Sequence, residues 1–387
     1  MENQAVQNIL TQTMCEIDGS TCNCSTETSF CKEPRCYKVL TQTEMTSISS
    51  ILCLAGPLTF LENFLVLLVI ANSKSLRQRP SYLFIGSLAL ADIFASCFFT
   101  VIFLEFHLSD GSDGPNIFLF KLGGVTMAFT GSVGSLLLTA IDRYLCIHRI
   151  SDYKTLLTRD RAVKSIVGLW TVTVLISFLP LMGWRYRTNG TCSRLFPFID
   201  PIYLASWASL LLVVLFLILV AYALIIWRAH KHETTVKVPH LRQTAVGGHT
   251  RMRMDIHLAR TFVMIIVILT GCWLPVLSFM IVDVSMKLTT AQQRAFAFCS
   301  ALCLVNSAVN PLLYALRCRE LRMEFLGLLQ CVFGQLGCKC CFTHVLSPEG
   351  ERKDELATVT NDELTPQAAY PNSVSQETNL TQTNRFY

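Results

Sequence analysis

Seven stretches of the chain are apolar over about the 20 residues that a helix needs to cross a lipid bilayer. They run over residues 47–71, 81–106, 117–146, 162–182, 201–228, 257–283 and 295–316. Within lipid a helix satisfies all its own backbone hydrogen bonds, and segments of this length fit helices rather than the shorter strands of a barrel. The sequence therefore predicts an all-α membrane protein, a bundle of seven transmembrane helices.

Composition excludes a set of soluble domains of the same length. Hydrophobic residues make up 52% of the chain and charged residues only 15%, whereas soluble domains are about a quarter charged. The net charge of +5 is weak support for nucleic-acid binding, because the basic residues flank apolar stretches. They are expected at the surface of a membrane, and no nucleic-acid partner is predicted.

The chain is expected to divide into four segments. Residues 1–46 form a tail on one side of the membrane, residues 47–316 the seven-helix bundle, residues 317–331 an amphipathic helix, and residues 332–387 a polar, disordered tail. Leu321, Phe325, Leu328 and Leu329 share one face of the amphipathic segment. That pattern is typical of a helix lying in the membrane interface.

Basic residues predict the orientation in the membrane. Lys and Arg are about twice as frequent in one set of connections as in the other, which places the N-terminus outside and the C-terminus in the cytosol. Glycosylation sequons at Asn23 and Asn189 both fall on the predicted outer side. The expected location is the plasma membrane, crossed several times.

The 17 cysteines fall into separate groups. Six face the outer side, where up to three disulfides are possible and their pairing stays open: Cys15, Cys22, Cys24, Cys31, Cys36 and Cys192. Cys331 and Cys338 follow the amphipathic segment and are candidates for S-palmitoylation. Reduced thiols are the competing interpretation, and a cramped zinc site at Cys338, Cys340, Cys341 and His344 is a weaker one.

Several polar residues lie inside predicted membrane helices, where they are costly and therefore invite a functional interpretation. Asp92 lies midway along the second stretch, and Asn63, Ser132, Asn306 and Asn310 are placed to surround it. One interpretation is an allosteric sodium site. The other is a satisfied hydrogen-bond network that fixes helix packing.

A second set of residues has the character of a conformational switch. Asp142-Arg143-Tyr144 ends the third stretch, and Asp255 begins the sixth. An ion pair between Arg143 and Asp255 would join two helices in one state and break in another, although an arginine at a helix end can also snorkel to the interface. Proline-broken, deformable segments occur in the sixth and seventh stretches, at Trp273-Leu-Pro275 and Asn310-Pro311-Leu-Leu-Tyr314.

These motifs, in this order and in these stretches, resemble the rhodopsin class of G-protein-coupled receptors across residues 47–331. The finer resemblance is to the cannabinoid receptors, and it rests on Ser81-Tyr-Leu-Phe-Ile-Gly-Ser-Leu, the segment from Ser132 to Cys146, Trp227-Arg-Ala-His230 and Phe296-Ala-Phe-Cys-Ser300. The short outer tail, Leu83, Leu145 and Cys146 favour the type-2 branch, with type 1 as the alternative. One departure is that the second outer loop offers only Cys192, where this family usually has two cysteines.

The resemblance implies a receptor, not an enzyme, for endocannabinoid lipids such as fatty-acid amides and glycerol esters. It implies coupling to an inhibitory G protein, with arrestin as a further partner and with Tyr222 and Tyr314 moving inward on activation. An amine ligand is disfavoured because Val125 stands where amine receptors carry an aspartate. The ligand-binding residues are expected to be Phe99, Phe103, Phe106, His107, Lys121, Val125, Thr126, Phe129, Phe196, Trp207, Trp273, Val276, Phe296 and Ser300.

Three other functions compete with this interpretation. A transporter would show internal repeats, and none is found. A membrane enzyme would need paired catalytic groups, which the sequence does not offer around His107. A lysophospholipid receptor of the same class would need several basic residues near its ligand, and Lys121 alone supports it weakly.

Overall fold

The computed structural model describes the backbone of residues 15–18, 21–24, 31–108, 114–149, 152–184, 193–236, 267–317 and 319–335. The chain forms two compact units, Met1–Leu329 and Gln330–Tyr387. The first contains the helix bundle. Of the second, the described part is the end of one helix, up to Gln335.

Eight long helices make up most of the described chain. They are α1 (Gln42–Asn72), α2 (Pro80–Leu108), α3 (Pro115–His148), α4 (Arg159–Ser177), α5 (Pro201–Val236), α6 (Val267–Ser285), α7 (Thr290–Arg317) and α8 (Arg319–Gln335). One-turn helices at Lys74–Arg77, Tyr153–Leu156 and Leu179–Met182 lie between them. The predicted all-α fold, a bundle of seven helices followed in the chain by an eighth, is confirmed.

Six helices, α1, α2, α3, α5, α6 and α7, are long and apolar enough to cross a membrane. The fourth predicted stretch is interrupted, because α4 ends at Ser177 and a new turn of helix begins at Leu179, next to Pro180. Charged residues also occupy the beginning of α4. With 19 residues α4 is as long as the described part of α6, so the charged residues at its beginning explain why it is not among the six.

The third helix lies at the centre of the bundle. An 18-residue window of α3 is 78% buried, against 28–56% in the other five apolar helices. It packs against α2, α4 and α5. Glycines permit this approach: a Cβ atom built on Gly123 would lie 2.7 Å from the Phe178 ring, and one on Gly124 would lie 2.4 Å from the Phe98 ring.

The ends of the bundle differ from the predicted boundaries by a few residues. Helix α1 begins at Gln42 rather than at residue 47, because Thr41 and Glu44 form a capping box that satisfies its first backbone N–H groups. Helix α8 extends to Gln335 instead of ending at residue 331. Its Leu321 is buried and Phe325 is half-buried against the bundle, as an amphipathic helix requires.

Helix α8 is tied to the end of α1 and the start of α2. Glu320 accepts hydrogen bonds from Arg79 and from the Tyr82 hydroxyl, the latter at 2.8 Å, and Ser73 Oγ donates to Glu324 at 3.0 Å. Partial burial raises the pKa of Glu320, but the bonds from Arg79 and Tyr82 outweigh burial and lower its pKa overall. The Glu320 carboxylate therefore stays ionised at neutral pH.

The N-terminal segment carries a hairpin and a 3₁₀ turn. Strands β1 (Cys15–Asp18) and β2 (Thr21–Cys24) pair antiparallel, with Cys15 opposite Cys24, and the sequon Asn23 lies on β2. The 3₁₀ turn runs over Pro34–Tyr37. Cys31 and Cys36 are disulfide-bonded, in agreement with an oxidising outer side, whereas Cys192 and Asn189 lie outside the described residues.

We expect Gly123→Val to destabilise the bundle, because the new side chain would meet the Phe178 ring and the Ser177 carbonyl oxygen, 3.3 Å from the Cβ position. Overpacking of this kind costs about 1–3 kcal/mol. Gly168→Val is the matched control, since nothing lies within 4 Å of its Cβ position. Thermal unfolding of the detergent-solubilised chain should show a lower midpoint only for Gly123→Val, and equal midpoints would contradict the close packing of α3.

Candidate functional site

A cavity opens between α2, α3, α5, α6 and α7, at the end of the bundle where the 3₁₀ turn lies. Two segments outside the long helices also line it at this end, through Tyr37, Val39, Leu40, Arg194, Leu195, Phe196, Pro197 and Ile199. Thirteen of the fourteen predicted ligand-binding residues line this one cavity: Phe99, Phe103, Phe106, His107, Val125, Thr126, Phe129, Phe196, Trp207, Trp273, Val276, Phe296 and Ser300. The structure thus brings together residues from five helices and one loop.

Aromatic rings form most of the cavity wall. Phe129 of α3 meets Trp273 of α6 edge to face, with ring centroids 4.7 Å apart and an interplanar angle of 88°. Phe99 of α2 lies 5.9 Å from Phe129, and Phe196 of the loop lies 5.6 Å from Phe296 of α7. Each pair joins two different elements. A molecule in the cavity therefore contacts side chains that belong to several helices at once.

The polar groups of the cavity are few, and the hydroxyl protons of Thr126 and Ser300 are already engaged. Thr126 Oγ1 donates to the Leu122 carbonyl at 3.0 Å, and Ser300 Oγ donates to the Phe296 carbonyl at 2.8 Å. His107 Nδ1 lies 3.1 Å from the Phe103 carbonyl. The hydroxyl oxygens keep lone pairs that can accept a hydrogen bond. The site is suited to a largely apolar molecule with a small, uncharged polar group.

Lys121 is the one predicted ligand-binding residue that does not line the cavity. Its ammonium group is paired with the Glu105 carboxylate of α2. Glu105 is 51% exposed, and Lys121 turns toward it instead of toward the cavity. The prediction that Lys121 orients a ligand is not supported, because a carboxylate on the neighbouring helix holds the ammonium elsewhere.

The structure adds lining residues that the sequence did not reveal. Tyr37, Val39 and Leu40 come from the N-terminal segment, and Arg194 and Leu195 from the loop. No periodic pattern marks these residues, since they lie outside regular helices. Arg194 is the one lining residue in the described part of the cavity that carries a formal charge, and the Asp283 carboxylate lies near enough to interact with it electrostatically.

Below the cavity, the predicted intramembrane polar cluster is partly assembled. Asp92 is fully buried, and it accepts hydrogen bonds from Asn310 Nδ2 at 2.9 Å and from Ser132 Oγ at 3.4 Å. Asn63 donates to the Thr59 and Ser307 carbonyls instead. Asn306 is buried, and no bond from it to Asp92 is observed. The cluster joins α2, α3 and α7.

This cluster has the donor set of a small-cation site. The amide oxygens of Asn63 and Asn310 are buried without a hydrogen-bond partner, which in a native protein usually marks a bound water or ion. Carboxylate, hydroxyl and amide oxygens are the ligands that hard cations prefer. Asp92, Ser132 and Asn310 fit a sodium ion, with Asn306 as the fourth predicted residue.

At the far end of α3, Asp142 collects three hydrogen-bond donors. Ser81 Oγ donates at 2.8 Å, Tyr153 OH at 2.6 Å and Arg143 Nε at 2.9 Å. Arg143 and Asp142 are both buried, so the arginine is engaged by its own neighbour and does not snorkel. Asp255, the predicted partner of Arg143, lies outside the described residues. Tyr144 stacks on His148 with ring centroids 4.2 Å apart.

The remaining switch residues lie on α5, α6 and α7. Pro311 is inside α7 and Pro275 inside α6, and Cys303 Sγ of α7 contacts the Cys272 carbonyl of α6 at 3.5 Å. Tyr222 of α5 is buried. The side chain of Tyr314 lies outside the described residues, as do those of Cys331, on α8, and Cys338.

Comparison with known proteins agrees with this arrangement. The family model for the 7 transmembrane receptor (rhodopsin family) matches residues 62–314. Cannabinoid receptor 1 of Xenopus laevis is 46% identical over 303 residues, which cover 75% of this chain but only 64% of that receptor. Cannabinoid receptor 2 of Homo sapiens is 46% identical over 286 residues, which cover 74% of this chain and 79% of that receptor.

Cannabinoid receptor 2 of Mus musculus is 42% identical over 327 residues, which cover 84% of this chain and 91% of that receptor. The chain thus spans about two thirds of the receptor-1 relative and most of the mouse receptor-2 relative. Identity does not separate the two types, since it is 46% to a receptor of each.

We expect sodium chloride to raise the thermal unfolding midpoint of the purified chain relative to N-methyl-glucamine chloride of equal ionic strength. A ligand that binds only the folded state stabilises it by mass action, and each kcal/mol raises the midpoint by about 2–4 °C. Asp92→Asn should remove the difference because it removes the anionic ligand. A salt effect of equal size in this variant would exclude sodium binding at Asp92.

Proposed function

Because this chain belongs to the cannabinoid receptors of the rhodopsin family, we propose that it binds endocannabinoid lipids and lowers cyclic AMP through an inhibitory G protein. The expected ligands are fatty-acid amides and glycerol esters. Its relatives are receptors and not enzymes, and its apolar helices make it a multi-pass membrane protein. The observation that carries the ligand class is the aromatic cavity with its sparse polar groups, among which Arg194 carries the one formal charge in the described part.

The cavity supports a neutral lipid on two grounds. First, no carboxylate lines its described part, so a cationic amine has no counter-ion there. Second, Lys121 pairs with Glu105, so that Arg194 is the one cation among the lining residues in the described part, whereas a phosphate group is expected to be bound by several basic residues. A long acyl chain needs neither charge, because each buried methylene contributes about 0.8 kcal/mol. One lining cation supports the lysophospholipid alternative no better than Lys121 did on sequence alone.

The proposed signal begins at the contact between Phe129 and Trp273. A ligand packed on both rings favours one arrangement of α3 relative to α6, and it shifts the receptor only by its differential affinity for the two states. Trp273 lies near Pro275 in α6, where the proline removes a backbone hydrogen bond and makes the helix deformable. An outward swing of α6 at the cytosolic end would follow.

At the cytosolic end, the same swing would open a cleft for the G protein. Arg143 would leave its present partners, Asp142 and Ser81, and any contact with Asp255. Tyr222 and Tyr314 would then move toward the vacated centre. In the middle of the bundle Asp92, Ser132 and Asn310 would hold a sodium ion in the resting state, which supplies positive charge beside the buried carboxylate.

The remaining assignments are proposals of the same kind. The N-terminus lies outside the cell and the C-terminus in the cytosol, where arrestin is a further partner. Asn23 and Asn189 carry glycans, and Cys331 and Cys338 carry palmitoyl groups. The type-2 branch is preferred to type 1 because Leu83, Leu145 and Cys146 resemble that branch.

We expect 2-arachidonoylglycerol to lower forskolin-stimulated cyclic AMP in cells that express the chain. Phe129→Ala should raise the half-maximal concentration about tenfold or more, because truncating a buried aromatic anchor costs at least about 1.4 kcal/mol. Phe216→Ala is the matched control, since its ring is 63% exposed on the membrane-facing side of α5. Arg143→Ala should abolish the response while it leaves binding of a labelled cannabinoid ligand intact.

All variants would be compared at equal surface expression. Failure of the well-expressed wild-type chain to respond or to bind the labelled ligand would reject the endocannabinoid assignment. Equal losses in Phe129→Ala and Phe216→Ala would reject the cavity as the binding site.

We further expect Lys121→Ala to change the affinity for a neutral cannabinoid ligand by less than about threefold, because Lys121 pairs with an exposed Glu105 outside the cavity. Competition binding on membranes, with Phe103→Ala as the positive control, measures this directly. A loss of affinity as large as that of Phe103→Ala would show that Lys121 contacts the ligand.

A further inference from the structure

The loop that lines the cavity from above is held in a demanding conformation. Residues 193–199 cross the mouth of the cavity, and Leu195, Phe196 and Pro197 line it. Phe198 adopts a φ of 63°, which is strained for a bulky residue and persists only where the surroundings enforce it. We call residues 193–199 the roof. Its shape therefore depends on contacts from outside the loop.

The main contact comes from a single carboxylate on α6. Asp283 accepts a hydrogen bond from Ser193 Oγ at 2.6 Å, and its two oxygens lie 3.0 and 3.1 Å from the Arg194 backbone nitrogen. Both side chains are buried, Ser193 at 0% and Asp283 at 7% exposure. A buried carboxylate must be well hydrogen-bonded to be tolerated, so these bonds are strong constraints on the roof.

Ser193 also forms hydrogen bonds within the roof and with the N-terminal segment. Its Oγ accepts from the backbone nitrogens of Leu195 at 3.1 Å and Phe196 at 3.2 Å, which sets the first turn of the roof. Its carbonyl oxygen accepts from the Tyr37 hydroxyl at 3.0 Å. One serine thus links α6, the roof and the N-terminal segment.

Helix α7 also donates hydrogen bonds to the roof and to the N-terminal segment. Gln293 Nε2 donates to the Arg194 carbonyl at 2.8 Å, and Arg294 Nε donates to the Val39 carbonyl at 2.8 Å. Arg194 is therefore held through its N–H by α6 and through its C=O by α7. The roof can lift only if bonds to both helices break.

We propose that Asp283 is a positioning residue that latches the roof over the cavity and so sets how fast a bound ligand leaves. It does not line the cavity, and it acts through Ser193 and the Arg194 backbone. The ligand part of this proposal rests on the proposed function. The latch itself, the Asp283–Ser193–Arg194 set of hydrogen bonds, does not.

The latch also gives α6 a second connection to the ligand. Phe196 of the roof lies in the cavity, and the roof is bonded to the end of α6 opposite the G-protein cleft. A shift of α6 therefore pulls on the roof, and a ligand that presses the roof upward pulls on α6. Removing an interaction that must break before the ligand dissociates raises the dissociation rate of the ligand. The association rate varies less.

The first test needs no ligand. Hydrogen–deuterium exchange of the detergent-solubilised full chain should show faster exchange of the peptide that contains Arg194, Leu195 and Phe196 in Asp283→Asn than in wild type. Asp200→Asn is the matched control: Asp200 lies beside the roof and caps α5 through the Ile202 backbone nitrogen, at 2.8 Å, which asparagine can also do. Unchanged exchange in Asp283→Asn would overturn the latch regardless of what the cavity binds.

The second test measures dissociation of a labelled cannabinoid ligand from membranes. Asp283→Asn, Ser193→Ala and Tyr37→Phe should each raise the dissociation rate, the first by about tenfold, with association changed by less than about threefold. In the double variant Asp283→Asn/Ser193→Ala the two effects on the dissociation rate should be less than additive, because both changes disrupt the bond between Ser193 Oγ and Asp283.

The outcomes separate the two proposals. Wild-type dissociation rates in Asp283→Asn, or fully additive effects in the double variant, would overturn the role of the latch in ligand escape. A wild-type chain that binds no cannabinoid ligand, but whose roof peptide is protected by Asp283, would reject the proposed ligand class and leave the latch established. Loss of overall stability in Asp283→Asn, seen as faster exchange in all helices, would make the residue structural and reject a local latch.

Discussion

The constraint on which this structure depends is that a helix in lipid meets its backbone hydrogen bonds internally, so that apolar burial does little to distinguish one helix arrangement from another. Arrangement must then be fixed by close contacts of small residues and by a few polar side chains. Helix α3 shows both. Gly123 and Gly124 let neighbouring aromatic rings approach it, and Ser132 and Asp142 provide polar contacts at two depths.

The polar contacts occur at three levels, and each joins different structural elements that must move relative to one another if the receptor has two states. Asp283 bonds α6 to the roof, Asp92 bonds α2 to α3 and α7, and Asp142 bonds the end of α3 to Ser81 and Tyr153. A buried carboxylate loses much more when a partner is removed than an exposed one does. Such groups therefore favour discrete arrangements over gradual deformation.

Apolar length in the sequence predicts where each helix lies along the chain, whereas residues of the cavity wall such as Phe129, Trp273 and Phe296 were predicted from the resemblance to a receptor family. The structure brings these three residues to one cavity. The end of α4 was less predictable, since apolar character continues past Ser177 while the helix itself stops. The central position of α3 depends on its glycines, whose importance is visible only where a neighbouring side chain approaches closely.

The failures have a common physical origin, which is pairing between residues distant in the sequence. Lys121 was expected in the cavity, and only the fold shows that Glu105, on another helix, takes its ammonium group. The roof is a stronger case. Ser193 meets Asp283 across 90 positions and Tyr37 across 156, and none of the three belongs to a recognisable motif.

The same reasoning explains why specificity is expected to lie in the roof more than in the wall. Aromatic walls accept many acyl chains, because apolar contact is nearly independent of direction. The roof is different, since its shape is fixed by directed hydrogen bonds from α6, α7 and the N-terminal segment. Ligands that share an acyl chain but differ in head group would meet the same wall and a different fit beneath Leu195 and Phe196. In the proposed latch, Asp283 would therefore influence which lipid is retained without contacting it.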